Sequence, residues 1–225
     1  MLQWVFFDLG GTLLDDLPFH DFIYKTLTEM LAERGFKVGI DDFIKARDDF
    51  VFSRVPVLTS LIIHFTGDEK LKEPMIKELM KRIEGKGPEF QSPNPGSDAV
   101  IDSLHGRYRL GIIANQQKGI RVLLRSLGWD KQFEVNMISD DIGIWKPDIR
   151  IFQMALEEAR CPPSQAVMVG DRIDNDVSPA KRLGMKTVRY KWGVFGRQVP
   201  ATEEERPDSE VSSLAEVPGI ISKLG

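Results

Sequence analysis

Short apolar runs alternate with amphipathic stretches through the second half of the chain, and that order admits few folds. "YRLGIIAN" (108–115) is an apolar strand, and "FEVNMIS" (133–139), "AVMVGD" (166–171) and "KTVRY" (186–190) also read as strands. "IRVLLRSLGW" (120–129), "DIRIFQMALEEAR" (148–160) and "DVSPAKRLG" (176–184) fall between them and read as helices. Repeated strand–helix–strand units build a parallel sheet with helices packed on its faces. "LQWVFFDL" (2–9), apolar nearly throughout, fits a central strand of the same sheet.

Between that first strand and the rest the pattern is different. Phe19, Phe22, Ile23, Leu27, Met30 and Leu31 share one helical face that stops near Gly35. Further helices are expected from about Asp41, through Leu58–Phe65 and through Met75–Ile83, before the Gly/Pro-rich break "GKGPEFQSPNPGSD" (85–98). The expected fold is therefore α/β: a Rossmann-like parallel sheet core with helices on both faces, formed by residues 1–15 and 88–225. Residues 16–87 would form an all-helical cap inserted into it.

Composition narrows the partners. A net charge of −4 argues against a nucleic-acid backbone, which favours a basic surface. The single cysteine, Cys161, allows no intramolecular disulfide and no cysteine-based metal cluster. No basic leader and no long apolar segment is present, so the expectation is a cytoplasmic protein without a membrane partner.

In open parallel sheets, ligands bind beyond the C-terminal ends of the strands, at the switch in strand order. Those ends carry Asp8, Asn115 and Asp171, while "IWKPD" adds Lys146 and "GDRIDNDV" adds Asp174 and Asp176. Each aspartate alone is compatible with a helix cap or a turn. Gathered at one sheet edge, they call for a cation. A hard, oxygen-only donor set suits Mg²⁺, which pairs naturally with phosphate. An aspartate beside such a metal can attack phosphorus, with a lysine neutralising the phosphoryl oxygens.

These residues fall into four ordered motifs, "FFDLGGTL", "GIIAN", "WKPDIRIF" and "GDRIDNDV", and in them the chain resembles the haloacid dehalogenase-like (HAD) superfamily with a helical cap inserted after the first motif. "AKRLGMKTV" and a final strand and helix in "PDSEVSSLAEVPGII" extend the resemblance to nearly the whole chain. The resemblance implies a Mg²⁺-dependent phosphatase acting on a small phosphorylated metabolite through an aspartyl-phosphate. Asp8 would be the nucleophile and a metal ligand, with Lys146 holding both Asp8 and the phosphoryl group. The Gly10 carbonyl, Asp171 and Asp176 would complete the metal site, and Asn115, Lys146 and backbone amides such as that of Gly11 would bind phosphate. The protein would be a monomer or homodimer.

Two departures stand out. Phosphatases of the family usually carry a second aspartate where this chain has Gly10, and a Ser or Thr where it has Ala114. Asn115, Gln116 or a water would have to fill in for the hydroxyl. The missing carboxyl favours a leaving group that needs little protonation, or an acid from elsewhere; Asp15, Asp16 and His20 lie just beyond the motif. His20 fits a helix residue beside Phe19 and Phe22 equally well. Carbon–halogen cleavage, carbon–phosphorus cleavage with Lys25 or Lys45 as a Schiff base, and a non-catalytic metabolite-binding role stay open. "YKWGVFG" (190–196) suits a pocket mouth, the core or an oligomer contact.

Overall fold

A computed structural model describes residues 1–53, 55–193 and 195–225. The chain begins with β1 (Trp4–Phe7) and, after a tight loop, β2 (Leu14–Asp15). Four helices follow: α1 (Leu17–Glu33), α2 (Ile40–Ser53), α3 (Val57–Thr66) and α4 (Lys72–Ile83). β3 (Ser92–Pro93) and α5 (Ser97–Leu104) lead back to β4 (Arg109–Ala114), α6 (Ile120–Ser126) and β5 (Phe133–Ile138). The chain closes with α7 (Ser139–Ile142), α8 (Ile149–Ala159), β6 (Ala166–Gly170), α9 (Ser178–Leu183), β7 (Lys186–Tyr190), β8 (Ser209–Val211) and α10 (Val217–Leu224).

Six strands make one parallel sheet in the order β5-β4-β1-β6-β7-β8. β1 is central because all four of its residues are apolar and buried, so both of its faces can be covered. Alternation along the strand sends Val5 and Phe7 to one face and Trp4 and Phe6 to the other. The first face packs against Val100, Ile101 and Leu104 of α5, Ile120 and Leu124 of α6, and Val217 and Ile221 of α10. The second packs against Ile151, Phe152 and Ala155 of α8 and Ala180 of α9. Cys161 lies buried in this second layer.

Helices α1 to α4 bury a separate apolar cluster built on Leu27, Met30, Leu31, Phe43, Leu61, Met75 and Leu79. The break at 85–98 is more structured than its composition suggests. Within it, β3 pairs antiparallel with β2, Leu14 opposite Pro93 and Asp15 opposite Ser92, so the two crossings into and out of the helical insert are tied together. Among the described residues, no helix is long and apolar enough to cross a membrane.

Candidate active site

The strand order runs outward from β1 in both directions, so the crevice beyond the ends of β1, β4 and β6 is the switch point of the sheet. Asp8 stands there, continuing the parallel ladder through its N–H on Val169 O at 2.9 Å, with its side chain buried. The chain then turns sharply: Leu14 N–H donates to Leu9 O at 2.8 Å and Gly11 N–H to Leu14 O at 2.9 Å. Gly11 has φ of 73°, and a Cβ on it would lie 2.6 Å from Asp171 Oδ2, so conformation and space both demand glycine. The loop is clamped from behind by Asn94 Nδ2 on Thr12 O at 2.8 Å and Ser97 Oγ on Leu13 O at 2.7 Å.

Lys146 enters from the loop before α8 and is buried. Its Nζ lies 2.9 Å from Asp8 Oδ1 and donates to Asp176 Oδ1 at 2.6 Å. Burial works against the ammonium, but Asp176 and Asp8 on either side outweigh it and hold the lysine above its ordinary value. Asp176 is reached through a wide helical turn in which Asp176 N–H and Val177 N–H both donate to Arg172 O, at 3.0 and 3.2 Å. The second oxygen of Asp176 accepts from Arg172 N–H at 3.0 Å. Asp176 packs so closely on Gly170 that a Cβ there would lie 2.4 Å from its Cγ.

Asp8, Asp171 and Asp176 each offer an oxygen within 4.8 Å of the others. Burial, followed by the charges of Asp176, Asp8 and Asp16, holds the Asp171 carboxyl well above the usual carboxylate range. Burial likewise pushes Asp176 up to about 6, with Lys146 opposing and Asp8 reinforcing. Asp171 Oδ1 is buried and, among the described residues, has no hydrogen-bond donor. An orphaned oxygen in an all-oxygen cluster with excess negative charge is the donor set of a hard divalent cation, and the residues fit Mg²⁺.

The space above Gly10 belongs to Asp16. A Cβ on Gly10 would lie 2.4 Å from Asp16 Oδ2 and 3.1 Å from Gln116 Nε2. His20 Nε2 stands 3.6 Å from Asp16 Oδ2, one turn along α1. Burial raises the Asp16 carboxyl above its ordinary value, with His20 partly opposing. Asp8, Gly10, Asp16, Lys146, Asp171 and Phe195 line one cavity of about 140 Å³. Through Asp16, His20 and Gln116 it adjoins a groove of about 760 Å³ walled by Phe19 and Lys81 of the helical insert. Through Arg172 and Phe195 it adjoins a pocket of about 450 Å³ with Ile23, Tyr24 and Leu58 on its far side.

Of the residues picked out in the sequence, Asp8, Lys146, Asp171 and Asp176 converge. Asn115 arrives beside them, but its side chain engages the Lys146 backbone, donating to the carbonyl at 2.9 Å and accepting from the N–H at 2.8 Å. The Gly11 N–H faces Leu14 rather than the cavity. Asp174 pairs with Arg172 and Gln198. Lys25 and Lys45 are solvent-exposed on the insert. From the aromatic stretch at 190–196, Phe195 reaches the cavity, under the Arg172 guanidinium at 4.0 Å. Tyr190 and Trp192 belong to the sheet core, and Val194 lies outside the described residues.

Arg189 escaped sequence reasoning. Buried at the end of β7, it donates from Nε to Asp171 O at 3.2 Å and from Nη2 to Phe195 O at 3.0 Å, tying two loops of the site together. The clue was a charged residue inside an otherwise buried strand.

Residues 5–190 match the family model described as haloacid dehalogenase-like hydrolase. The chain is 34% identical over 234 residues to a glyceraldehyde 3-phosphate phosphatase of Methanocaldococcus jannaschii, covering 100% of this chain and 99% of that one. It is 32% identical over 235 residues, 98% of each chain, to the pyrimidine 5′-nucleotidase YjjG of Escherichia coli. A solved HAD phosphatase from Thermococcus onnurineus is 26% identical, with 98% of each chain covered and a TM-score of 0.64. A match through most of the chain, on top of a parallel sheet with its acidic residues at the switch point, leads to one conclusion: the chain belongs to the haloacid dehalogenase-like hydrolase family.

Proposed function

We propose that this hydrolase is a Mg²⁺-dependent phosphatase that cleaves a small phosphorylated metabolite through an aspartyl-phosphate on Asp8. The observation that carries the reading is the buried triad of Asp8, Lys146 and Asp176, with the orphaned Asp171 oxygen beside it. Relatives named as phosphatases of glyceraldehyde 3-phosphate and phosphoserine support the same reaction class.

Asp8 is the group able to attack phosphorus, since its carboxylate lies at the strand end with one oxygen anchored by Leu9 N–H at 2.8 Å. Lys146 stands beside the Asp8 carboxylate, its Nζ 2.9 Å from Oδ1, and offers its ammonium to the phosphoryl oxygens. Attack by an Asp8 oxygen forms the new P–O bond as the bond to the leaving oxygen breaks. Water then attacks phosphorus, breaks the P–OAsp8 bond and restores the carboxylate. Asp8, Asp171, Asp176 and the Gly10 carbonyl would hold Mg²⁺, which when bound neutralises phosphoryl charge and admits a dianion to this acidic pocket. Residues 16–87 serve in this reading as a cap over a core of residues 1–15 and 88–225, because Phe19, His20 and Lys81 wall the groove leading to Asp8.

The acidic cluster, able to hold a metal, favours a metal-dependent reaction over metal-free carbon–halogen cleavage. Exposure of Lys25 and Lys45 disfavours a Schiff base at Asp8. The test is Mg²⁺-dependent phosphate release from acetyl phosphate, glyceraldehyde 3-phosphate, a sugar 1-phosphate and p-nitrophenyl phosphate. Turnover by the wild type and none by Asp8→Asn is expected; no turnover on any substrate, with Asp8→Asn indistinguishable, would sink the reading.

A further inference from the structure

We infer that Asp16 is the proton donor and acceptor of the phosphoryl transfer, supplying from the start of the helical insert the carboxyl that position 10 lacks. The inference rests on the phosphatase reading and extends it to the leaving group.

Three observations converge on Asp16. First, its Oδ2 lies 2.4 Å from where a Cβ on Gly10 would be, and its Cγ 3.3 Å away, so it fills the volume that a side chain at position 10 would enter. Second, it is not occupied as a helix cap. An aspartate preceding a helix usually accepts from the first-turn amides, yet Asp16 makes no such side-chain bond to α1. Third, it shares the cavity of Asp8, Lys146 and Asp171, with His20 at 3.6 Å as its polar neighbour.

The backbone explains why a residue six positions along returns to this point. Gly10 bridges to Leu14, and Leu14–Asp15 pairs with Ser92–Pro93, which folds the chain back over the loop. Asp16 is the next residue and projects into the space above Gly10. Glycine at position 10 and aspartate at position 16 are therefore one arrangement: the first must be small for the second to fit.

The proton balance closes. In the first step the Asp16 carboxyl gives its proton to the leaving oxygen as the bond from phosphorus to that oxygen breaks and Asp8 becomes phosphorylated. In the second step the Asp16 carboxylate takes a proton from the attacking water, which ends as phosphate when the Asp8–phosphorus bond breaks. Each turnover converts a phosphate ester and water into an alcohol and inorganic phosphate, and Asp16 returns to its starting form.

The experiment compares wild type, Asp8→Asn and Asp16→Asn on glycerol phosphate, whose alkoxide must be protonated, and p-nitrophenyl phosphate, whose phenolate leaves unaided. Loss of general acid help should lower the Asp16→Asn rate on glycerol phosphate by about 10²–10⁴-fold. On p-nitrophenyl phosphate the same variant should release a burst of about one p-nitrophenol per site and then stall, with phosphate retained on Asp8. Gly10→Asp in an Asp16→Gly background should regain at least ~10-fold on glycerol phosphate over Asp16→Gly alone. Equal losses on both substrates without a burst, or Asp16→Asn rates like wild type, overturn the role of Asp16 while wild-type turnover and a dead Asp8→Asn leave the phosphatase reading standing. A wild type inactive on every substrate overturns both.

Discussion

Asn115 grips Lys146 by its backbone, Nδ2 donating to the carbonyl at 2.9 Å and Oδ1 accepting from the N–H at 2.8 Å. Lys146 in turn carries the ammonium between Asp8 and Asp176. Asn115 is thus a positioning residue for the ammonium at the nucleophile. Asn115→Ala leaves two part-buried backbone groups unpaired, at a cost of about 1–3 kcal/mol in denaturant unfolding. Displacement of Lys146 should lower kcat by roughly 10²-fold. A raised KM with unchanged kcat would instead mark Asn115 as a direct phosphate ligand.

Lys146→Met removes that cation and leaves three carboxylates buried together. Breaking such a cluster typically costs about 3–5 kcal/mol. In denaturant unfolding without divalent cations the variant should lose stability on this scale, and phosphate release should fall below detection. A variant as stable as wild type would show that the carboxylates relax without Lys146.

Asp171→Asn should separate stability from metal binding. Burial and three neighbouring carboxylates hold the Asp171 carboxyl far above its usual range, so its charge is a liability in the metal-free protein. The amide removes the repulsion, and the melting temperature of the metal-free variant should exceed that of wild type. Mg²⁺ should raise the wild-type melting temperature, by mass action on the folded state, and leave the variant unmoved. An equal Mg²⁺ shift in both proteins would remove Asp171 from the metal site.

The parts of this molecule that the sequence reveals are those with local signatures. β1 and β6 are continuous apolar runs, and β4 nearly so, because parallel strands are covered on both faces, and Asp8, Asn115 and Asp171 are found by asking what each strand ends on. The helices of the insert announce themselves by their spacing. The pairing of Leu14–Asp15 with Ser92–Pro93 has no such signature, since two residues make no period and their partners lie across the whole insert. For the same reason the clamps by Asn94 and Ser97, hidden in a Gly/Pro-rich stretch, and the return of Asp16 over Gly10 emerge only in three dimensions. Asn115 is visible as a residue, but its partner is a backbone 31 positions away.

Gly10 and Gly11 are adjacent and both lack room for a side chain, yet alanine should damage them in different ways. At Gly11, φ is 73° and a Cβ would lie 2.6 Å from Asp171 Oδ2. Alanine there adopts a left-handed conformation at about 1–2 kcal/mol. For a chain of this size that is a loss of roughly 2–8 °C in melting temperature. It also pushes Asp171 aside, so the Mg²⁺ concentration for half-maximal rate should rise. At Gly10 the backbone is not left-handed, and the obstruction is the Asp16 carboxyl, the end of a side chain able to rotate away. Gly10→Ala should therefore melt within a degree or two of wild type and keep its Mg²⁺ requirement. Its loss should appear on alkyl phosphates, where a displaced Asp16 no longer reaches the leaving oxygen, and on p-nitrophenyl phosphate as a burst before slowed turnover, since only the first step there is spared. Calorimetry, Mg²⁺ titration and the two substrates together read out all three effects. If both variants weaken Mg²⁺ equally and Gly10→Ala gives no burst on p-nitrophenyl phosphate, the two glycines serve one crowded loop rather than two separate carboxylates.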